Sequence, residues 1–411
     1  METIFDVDIS ALVYGGDALG RLPDGRAVFV PGGLPGERVR LKIVEGGKRF
    51  ARAVLQAVLQ PSPDRIALPH PDCPGCHYQH MTYPAQLRAK TGIVRDQFQR
   101  IAGVAAPVAE IIAAPSEWRY RNSAQFHFTA DGKLGFQEPG SHVVTPMTGE
   151  CALCVDAINE LLPLLDFDGV PEGIERVQLR AGAGGEGMLI FEGETPEPPE
   201  LTVDLPISVV HLVSDEAGGS YPVVMAGDDH LVMEAGGRAF RVSAGAFFQV
   251  NIPQAENMLQ HLLGALPLAP GMNVLEVYAG VGLFSAFLAP RVGRLAAIEG
   301  SSAAVEDFAA NLDEFDNVEL YSGPAEEIMP GLDFQPDLAL LDPPRAGLAL
   351  PVLDAVARMA PARLAYVSCD PATLARDAKR LLAAGYRIDS VQPFDMFPQT
   401  YHIESVTLFS K

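Results

Sequence analysis

One cysteine stands apart from the others and is positioned for nucleophilic chemistry. Cys369 ends the apolar run LAYVSC and precedes Asp370, an expected helix N-cap, and Pro371, an expected first helical residue. A helix amino terminus stabilises a thiolate and lowers its pKa. A free cysteine is more often a small core residue. The position at a strand end, outside any CxxC pair, favours the interpretation of Cys369 as a nucleophile.

Two carboxylates also lie at predicted strand ends. Glu404, in MFPQTYHIESVTLF, shares strand parity with Val406 and Leu408, so we expect it to face the core. Burial would raise its pKa and suit it to act as a general base. The alternative is a glutamate at a sheet edge paired with an arginine. Asp342 follows LALL and precedes two prolines, which stop the strand and hold the acid at the edge of the sheet.

A glycine-rich turn predicts a nucleotide-like ligand. VLEVYAGVGLF places Gly280 and Gly282 between an apolar strand and a helix, and Glu299 ends the next strand, where it could accept hydrogen bonds from ribose hydroxyls. A plain tight connection and a dinucleotide site are the alternatives. Because GVG is followed by LF, without the third glycine of the dinucleotide fingerprint, the pattern is closer to that of S-adenosylmethionine sites.

The surrounding elements predict a multidomain α/β protein. Before residue 60, short strands separated by glycine turns predict a small OB-like β-barrel. A helix is expected from Tyr83 to Ile101, then a mainly β region with a helix near INELLPLL. After residue 255, strands alternate with helices, as in a doubly wound, Rossmann-like sheet. We expect domains at 1–60, at 61–82 with 115–254, and at 83–114 with 255–411.

Composition limits the function classes. A chain of 411 residues is longer than one hydrophobic core usually organises, and 48% of the residues are hydrophobic. The net charge of −22 is unusual for a nucleic-acid-binding protein. Basic residues nevertheless cluster, which favours a local basic track, although a solvated helix face explains the helical cluster equally well. We find no membrane-spanning or signal segment and expect a cytoplasmic monomer. The clusters are Lys48, Arg49 and Arg52; Arg88, Lys90, Arg95 and Arg100; and Arg119 and Arg121.

The segments DPPRAG, YVSCDPATLARD and DMFPQTYHIES, together with WRYRN and AFFQVN, resemble the bacterial RNA uracil-C5 methyltransferase family, in its ribosomal-RNA branch. The amino-terminal barrel resembles a TRAM domain. The resemblance implies methyl transfer from S-adenosylmethionine to C5 of a uridine. The expected substrate is 23S rRNA, and tRNA is the alternative. Cys369 would add to C6, and Glu404 would remove the C5 proton. The uracil must be flipped out to reach the cysteine.

The resemblance also assigns binding residues by their positions in these motifs. Gln249, Tyr278, Glu299 and Asp342 match cofactor positions, next to the two glycines of the turn. The positions expected near the flipped uracil are Phe247, Gln249, Asp342 and Arg345.

The four remaining cysteines form two CxxC pairs, Cys73 with Cys76 and Cys151 with Cys154. The ribosomal branch typically holds a four-iron, four-sulfur cluster through a cysteine, five residues, CxxC and a distant cysteine. Here Ala67 occupies the first of these positions, but Cys154 could restore four ligands. The resemblance favours the iron–sulfur cluster; the spacing is equally compatible with zinc, and an empty site is the third alternative.

Three other enzyme or protein classes fit less well. An RNA cytosine-C5 methyltransferase usually has a Pro-Cys pair where this chain has DPPR, and a radical enzyme would need CxxxCxxC, which the chain lacks. A non-catalytic, cluster-bearing RNA-binding protein would leave Cys369 and Glu404 without a role.

Overall fold

The computed structural model describes residues 4–137, 142–214 and 219–411, and its first element is a closed five-stranded barrel. Alternate residues such as Val7, Val39 and Leu41 fill the barrel core, as period-two strands require. This confirms the predicted barrel. The strands, in the order β1-β2-β3-β5-β4, are β1 (Ile4–Leu12), β2 (Ala18–Arg21), β3 (Ala27–Val30), β4 (Arg38–Gly46) and β5 (Phe50–Gln60).

The predicted helix at residue 83 is α1 (Tyr83–Gln97), continued by a π-helical turn, Phe98–Ala102. Gly103, at φ 76°, ends it in the left-handed conformation that glycine adopts readily. Ile93, Val94 and Phe98 are buried in the core of the carboxyl-terminal sheet. Helix α1 therefore packs against a domain that begins more than 150 residues later in the chain.

The middle of the chain is a mostly antiparallel sheet of order β12-β11-β10-β9-β6-β7-β8, in which only the described pair β10–β11 is parallel. The predicted helix is one short element, α2. Its strands and helix are β6 (Ser123–Phe128), β7 (Leu134–Gln137), β8 (Val144–Pro146), α2 (Asp156–Leu161), β9 (Ile174–Ala181), β10 (Gly187–Gly193), β11 (Ser208–Ser214) and β12 (Ser220–Ala226). A hairpin, β13 (His230–Ala235) and β14 (Arg238–Ser243), follows.

The carboxyl-terminal region is a seven-stranded, Rossmann-like sheet of order β17-β16-β15-β18-β19-β21-β20. The first five strands are parallel, and β21 is antiparallel to both of its neighbours. The elements are α3 (Ile252–Ala265), β15 (Asn273–Val277), α4 (Ser285–Leu288), β16 (Arg294–Glu299), α5 (Ser302–Asn311), β17 (Val318–Ser322), α6 (Ala325–Ile328), β18 (Leu338–Leu341), α7 (Leu350–Met359), β19 (Arg363–Ser368), α8 (Pro371–Ala383), β20 (Arg387–Phe394) and β21 (Glu404–Ser410).

The strand order reverses between β15 and β18, and ligands of such sheets bind beyond the carboxyl ends of the strands at this point. The β13–β14 hairpin packs on this domain, because Met233 and Phe240 share a core with Val281 and Ala304. The domain division at 1–60, 61–82 with 115–254, and 83–114 with 255–411 stays a prediction. Among the described helices, none combines the length and apolar character needed to cross a membrane.

Candidate active site

The cysteine and the glutamate singled out in the sequence lie side by side. Ser368, the last residue of β19, pairs with Ser405 of antiparallel β21. Cys369 therefore leaves β19 at the level where Glu404 begins β21. Their charges interact, since Glu404 is the second-largest cause of the shifted pKa of Cys369, after burial. The tertiary fold thus joins two residues that lie 35 positions apart in the sequence.

The expected lowering of the Cys369 pKa by the helix amino terminus is wrong. Asp370 caps α8, and its Oδ1 accepts hydrogen bonds from the amides of Ala372 and Thr373, each at 2.9 Å. These amides are therefore not available to the thiol. Burial, followed by the negative charges of Glu404 and Asp342, raises the pKa of Cys369 to about 12.

Glu404 is 5% exposed, so the expected burial is observed. Strand parity does not account for it, because Ser405 and Thr407, of the opposite parity, are buried as well. Burial, reinforced by Asp342, raises the pKa of Glu404 well above its ordinary value, and Arg345 opposes this shift. Burial and the charge of Glu299 also raise the pKa of Asp342 to about 7. Two acids and one thiol thus share a site in which the charged form of each is disfavoured.

The glycine turn after β15 is tightly constrained. Tyr278 adopts φ 66°, a conformation that is rare for a side-chain-bearing residue and tends to occur at functional sites. Glu299 fastens the turn, since its carboxylate accepts hydrogen bonds from the amides of Gly280 (2.7 Å), Gly300 (2.8 Å) and Ser301 (2.7 Å). Gly282, at φ 90°, packs against α5, where a Cβ would lie 2.3 Å from Leu312 Cδ1.

Sequence reasoning missed Glu276, which lies within the apolar run of β15. Its side chain is fully buried and accepts a hydrogen bond from the Ser285 hydroxyl, while Oε1 has no partner among the described residues. Burial raises the pKa of Glu276 to about 8, and Asp342 and Glu299 add to the rise. A charge inside an otherwise apolar strand, VLEV, was the available signal.

His402, two residues before Glu404, was also missed. Burial, followed by the positive charge of Arg345, lowers the pKa of His402 to about 3, so the imidazole stays neutral. Its ring contacts those of Phe397, at 5.6 Å between centroids, and Tyr401, at 4.4 Å. Its only sequence signal was its presence in the motif TYHIE.

The segment from Asp395 to Ile403, called here the 395–403 loop, positions Glu404 and is held by buried polar groups. Lys90 Nζ contacts Asp395 Oδ1 at 2.5 Å and donates to the Phe397 carbonyl at 3.0 Å. Lys90 is therefore part of the core, and its assignment to a basic surface track is wrong. Further bonds to this loop come from Gln86 to Gln399, Tyr120 to the Pro398 carbonyl, and Asn251 to the Met396 carbonyl.

A cavity of about 190 Å³ lies where the central sheet meets the AFFQVN segment. Phe247, on its rim, is 68% exposed. Asn122 joins the two regions by donating to the Gln249 carbonyl at 3.1 Å. Its lining includes Arg121, Gln125, Gln178 and Phe247.

The rest of the predicted basic track is largely neutralised. Arg52, Arg88, Arg95, Arg100 and Arg119 all make ion pairs with nearby carboxylates. In contrast, Arg121 and Arg345 have no ion-pair partner within the described residues, and both act electrostatically on His402. Arg121 and Arg345 therefore bring positive charge to the candidate active site. Lys48 and Arg49 of the amino-terminal cluster also have no ion pair among the described residues.

The arrangement of the paired cysteines does not fit the expected metal site. All four cysteines belong to one hydrophobic cluster, but Cys73 and Cys76 are joined in a disulfide, and disulfide sulfurs are not thiolate ligands. Cys151 and Cys154 lie in a tight turn closed by Asn159, which accepts from the Cys151 amide at 2.8 Å. The described residues contain no group of three or more His, Cys, Asp or Glu arranged for a metal ion. The iron–sulfur cluster, and equally zinc, is therefore unsupported.

Comparisons with known proteins agree with this geometry. A sequence model described as tRNA (uracil-5-)-methyltransferase matches residues 228–411, and one described as TRAM domain matches residues 3–55. The chain is similar to an uncharacterized RNA methyltransferase of Streptomyces coelicolor, with 35% identity over 98% of this chain and 92% of the relative. Another, from Halalkalibacterium halodurans, is 33% identical over 98% of this chain and 96% of the relative.

A solved structure has the same architecture over its whole length. It is that of the Pyrococcus abyssi tRNA (uracil-54, C5)-methyltransferase in complex with S-adenosyl-L-homocysteine. The identity is 26%, the TM-score is 0.73, and the match covers 100% of both chains.

Proposed function

The chain belongs to the RNA (uracil-C5)-methyltransferase family, and from that premise we propose that it methylates C5 of a uridine in structured RNA through a covalent adduct with Cys369. The observation that carries the proposal is the placement of Cys369 beside Glu404, beyond the carboxyl end of the parallel sheet.

The cofactor site is proposed at the turn after β15. The site would be lined by Gly280, Gly282 and Tyr278. The Glu299 carboxylate would accept hydrogen bonds from the ribose hydroxyls in place of those from the backbone amides. Gln249 and Asp342 would complete it from the facing segments. The unpartnered, buried Oε1 of Glu276 and the nearby acids fit a ligand that carries ammonium and sulfonium charges. Bound S-adenosylmethionine would supply an electrophilic methyl group on its sulfonium.

Uracil C5 is a poor nucleophile, and the proposed role of Cys369 is to activate it. The thiolate sulfur forms a bond to C6, and the C5–C6 π electrons move onto C5 and the O4 carbonyl as an enolate. C5 would then attack the sulfonium methyl group, the sulfur–methyl bond would break with its electron pair left on sulfur, and S-adenosylhomocysteine would be the leaving group. Glu404 removes the C5 proton, the electron pair of that C–H bond re-forms the double bond, and the C6–S bond breaks to release the thiolate.

The electrostatics support the role of Glu404 as the base and of Cys369 as the nucleophile. The raised pKa of Glu404 makes its carboxylate a stronger base, and the raised pKa of Cys369 keeps the thiol protonated until the site is occupied. A cationic ligand near Asp342 and Glu276 would oppose the negative charges that raise the thiol pKa. The nucleophile would thus be activated mainly when the cofactor is bound.

The RNA surface is proposed to include the cavity at the AFFQVN segment. Exposed Phe247 offers a face for stacking a base, and Gln249 and Asp342 can hydrogen-bond the flipped uracil. Arg121 and Arg345, both free of ion pairs among the described residues, would contact phosphates. The acidic body around them would confine RNA to this region.

The RNA class is proposed as ribosomal, with transfer RNA as the second candidate. The ribosomal preference rests on the sequence resemblance. Because the structural similarity to a tRNA-modifying enzyme extends over the entire chain, the domain architecture itself favours neither RNA. Substrate choice must be tested directly.

Release of tritium from C5 tests the proposal. The protein is incubated with S-adenosylmethionine and with 23S rRNA or tRNA transcripts that contain [5-³H]uridine. We expect release from the 23S rRNA transcripts, no release with Cys369→Ala, and a covalent RNA adduct that accumulates with Glu404→Gln. Release from tRNA alone would favour the second candidate. Cys151→Ala serves as a matched control for loss of a free thiol. Undiminished release from Cys369→Ala would refute the covalent mechanism, and normal turnover by Glu404→Gln would identify another base.

A further inference from the structure

A loop of the amino-terminal barrel reaches the nucleophile. Tyr14, in the turn between β1 and β2, donates its hydroxyl to Asp370 Oδ2 at 2.7 Å, across 356 positions of sequence. Asp370 directly follows Cys369. Nothing in the sequence motifs of either segment predicts this contact.

Among the described residues, the other hydrogen bonds of Asp370 all lie within its own segment of the Rossmann-like domain. Its Oδ1 caps α8, its amide donates to Ser368 Oγ at 3.1 Å, and its carbonyl accepts from the same hydroxyl at 3.0 Å. Tyr14 therefore provides the bond that ties the nucleophile segment to the barrel. Because Oδ1 already caps the helix, loss of the tyrosine hydroxyl would leave α8 capped.

The same turn also contacts the segment that carries the general base. Gly16, at φ 94°, lies so close to the Tyr401 ring that a Cβ there would be 3.0 Å from Cδ1. Tyr401 precedes Glu404 by three residues. In addition, Leu12 and Tyr14 pack on the hydrophobic core of the catalytic sheet. The turn thus touches the chain on both sides of the active site.

We propose that Tyr14 is a positioning residue, through which the barrel fixes the backbone of the Cys369 segment in its reactive arrangement. The inference rests on the proposed function, since it assumes that Cys369 is the nucleophile. The barrel would then do more than bind RNA, because its correct seating becomes a condition for covalent attack.

The bond also has an electrostatic consequence. The groups that act on the thiol are Glu404 from β21, Asp342 and Arg345 from the segment after β18, and Asp370 from its own segment. Asp370, like Glu404 and Asp342, raises the pKa of Cys369, and its effect is the smallest of the three. A donated hydrogen bond from Tyr14 disperses the aspartate charge. Without that bond, the thiol pKa rises further.

The test is Tyr14→Phe in the full-length protein. We expect the kcat of tritium release to fall about tenfold, the size expected from one hydrogen bond to a charged group, with the RNA KM changed less than twofold. Iodoacetamide alkylation of Cys369 in the absence of RNA should require higher pH than in the wild type. Tyr386→Phe is the matched control, because it removes a buried tyrosine hydroxyl bonded to the Pro361 carbonyl at 3.0 Å, at the far end of the same sheet.

Each outcome bears on the inference. A rise in the RNA KM alone, with unchanged kcat, would make Tyr14 an RNA contact. Unchanged kcat and unchanged alkylation would show that Tyr14 has no positioning role. Either result overturns the inference and leaves the covalent mechanism intact. Equal losses in Tyr14→Phe and Tyr386→Phe would reduce the effect to general destabilisation and would also overturn it. Full activity of Cys369→Ala would instead refute the proposed function, a result that the tyrosine variants cannot produce.

Discussion

At the residue scale, the active site holds groups whose charged forms are disfavoured. Cys369, Glu404, Asp342 and Glu276 all have raised pKa values, with burial as the largest cause of each. Arg345 is the positive charge that opposes the shifts of Cys369 and Glu404. The proposed thiolate and carboxylate must both be ionised at their steps, so we expect kcat/KM to rise with pH above neutrality.

The mutual repulsion of these groups is testable by Glu404→Gln. Removing the negative charge beside the thiol stabilises the thiolate, so the pH of half-maximal Cys369 alkylation should move down, by about one pH unit. Peptide mass spectrometry would follow alkylation of this cysteine alone. Glu319→Gln, at an exposed position of the edge strand β17, is the control and should leave the profile unchanged. An unchanged or upward-shifted profile in Glu404→Gln would contradict the electrostatic assignment.

At the scale of elements, helix α1 and the 395–403 loop are joined by the fully buried Lys90–Asp395 pair. Lys90→Met would leave the Asp395 carboxylate buried without its partner and should lower the free energy of unfolding by about 3–5 kcal/mol. Arg88 lies on the same helix as Lys90 and forms an exposed ion pair with Asp64, so Arg88→Met should change the free energy of unfolding by only about 0.2–1 kcal/mol. Urea denaturation measures both.

The double variant Lys90→Met with Asp395→Asn separates charge from packing. Because asparagine removes the unpaired buried charge, it should recover part of the lost stability. Equal stability of Lys90→Met and Arg88→Met would show that the buried pair does not hold the loop.

The glycine turn after β15 allows a second comparison at the element scale. Alanine at Gly280 meets no atom within 4 Å but must adopt φ 55°, so we expect a loss of about 1–2 kcal/mol. At Gly282, φ is 90° and the new Cβ would lie 2.3 Å from Leu312 Cδ1, which adds about 1–3 kcal/mol of overpacking. Urea denaturation should therefore give a lower free energy of unfolding for Gly282→Ala than for Gly280→Ala. The reverse order would contradict the described packing of α5 on the turn.

At the scale of the whole molecule, three regions distant in sequence meet at the carboxyl ends of the parallel strands. The barrel contributes Tyr14, the central sheet contributes Arg121, and the Rossmann-like sheet contributes Cys369. The net charge of −22 is compatible with RNA binding if contact is confined to this edge, where two arginines lack ion-pair partners in the described parts of the chain.

The paired cysteines are tested on the intact protein. We expect non-reducing peptide mapping to recover Cys73 linked to Cys76, with Cys151 and Cys154 as free thiols, and no stoichiometric iron, sulfide or zinc. Protein purified anaerobically serves as the comparison, since air could oxidise an exposed cluster. Four iron and four sulfide per chain in that preparation would contradict the disulfide arrangement and restore the cluster expected from the family resemblance.

Local sequence determined the secondary structure, the fold class and the candidate chemistry. Strand periodicity predicted the barrel and the doubly wound sheet, and the motifs YVSCDPATLARD and DMFPQTYHIES made Cys369 and Glu404 candidate catalytic residues, because these signals depend on neighbouring residues. The tertiary structure alone decided the environment of each group. Burial, with the charges of Glu404 and Asp342, raised the pKa of Cys369 where the sequence had predicted a lowered one, and Lys90 became a core residue. It also joined Tyr14 to Asp370, because burial, charge and hydrogen bonds at the site arise from contacts between residues far apart in the chain.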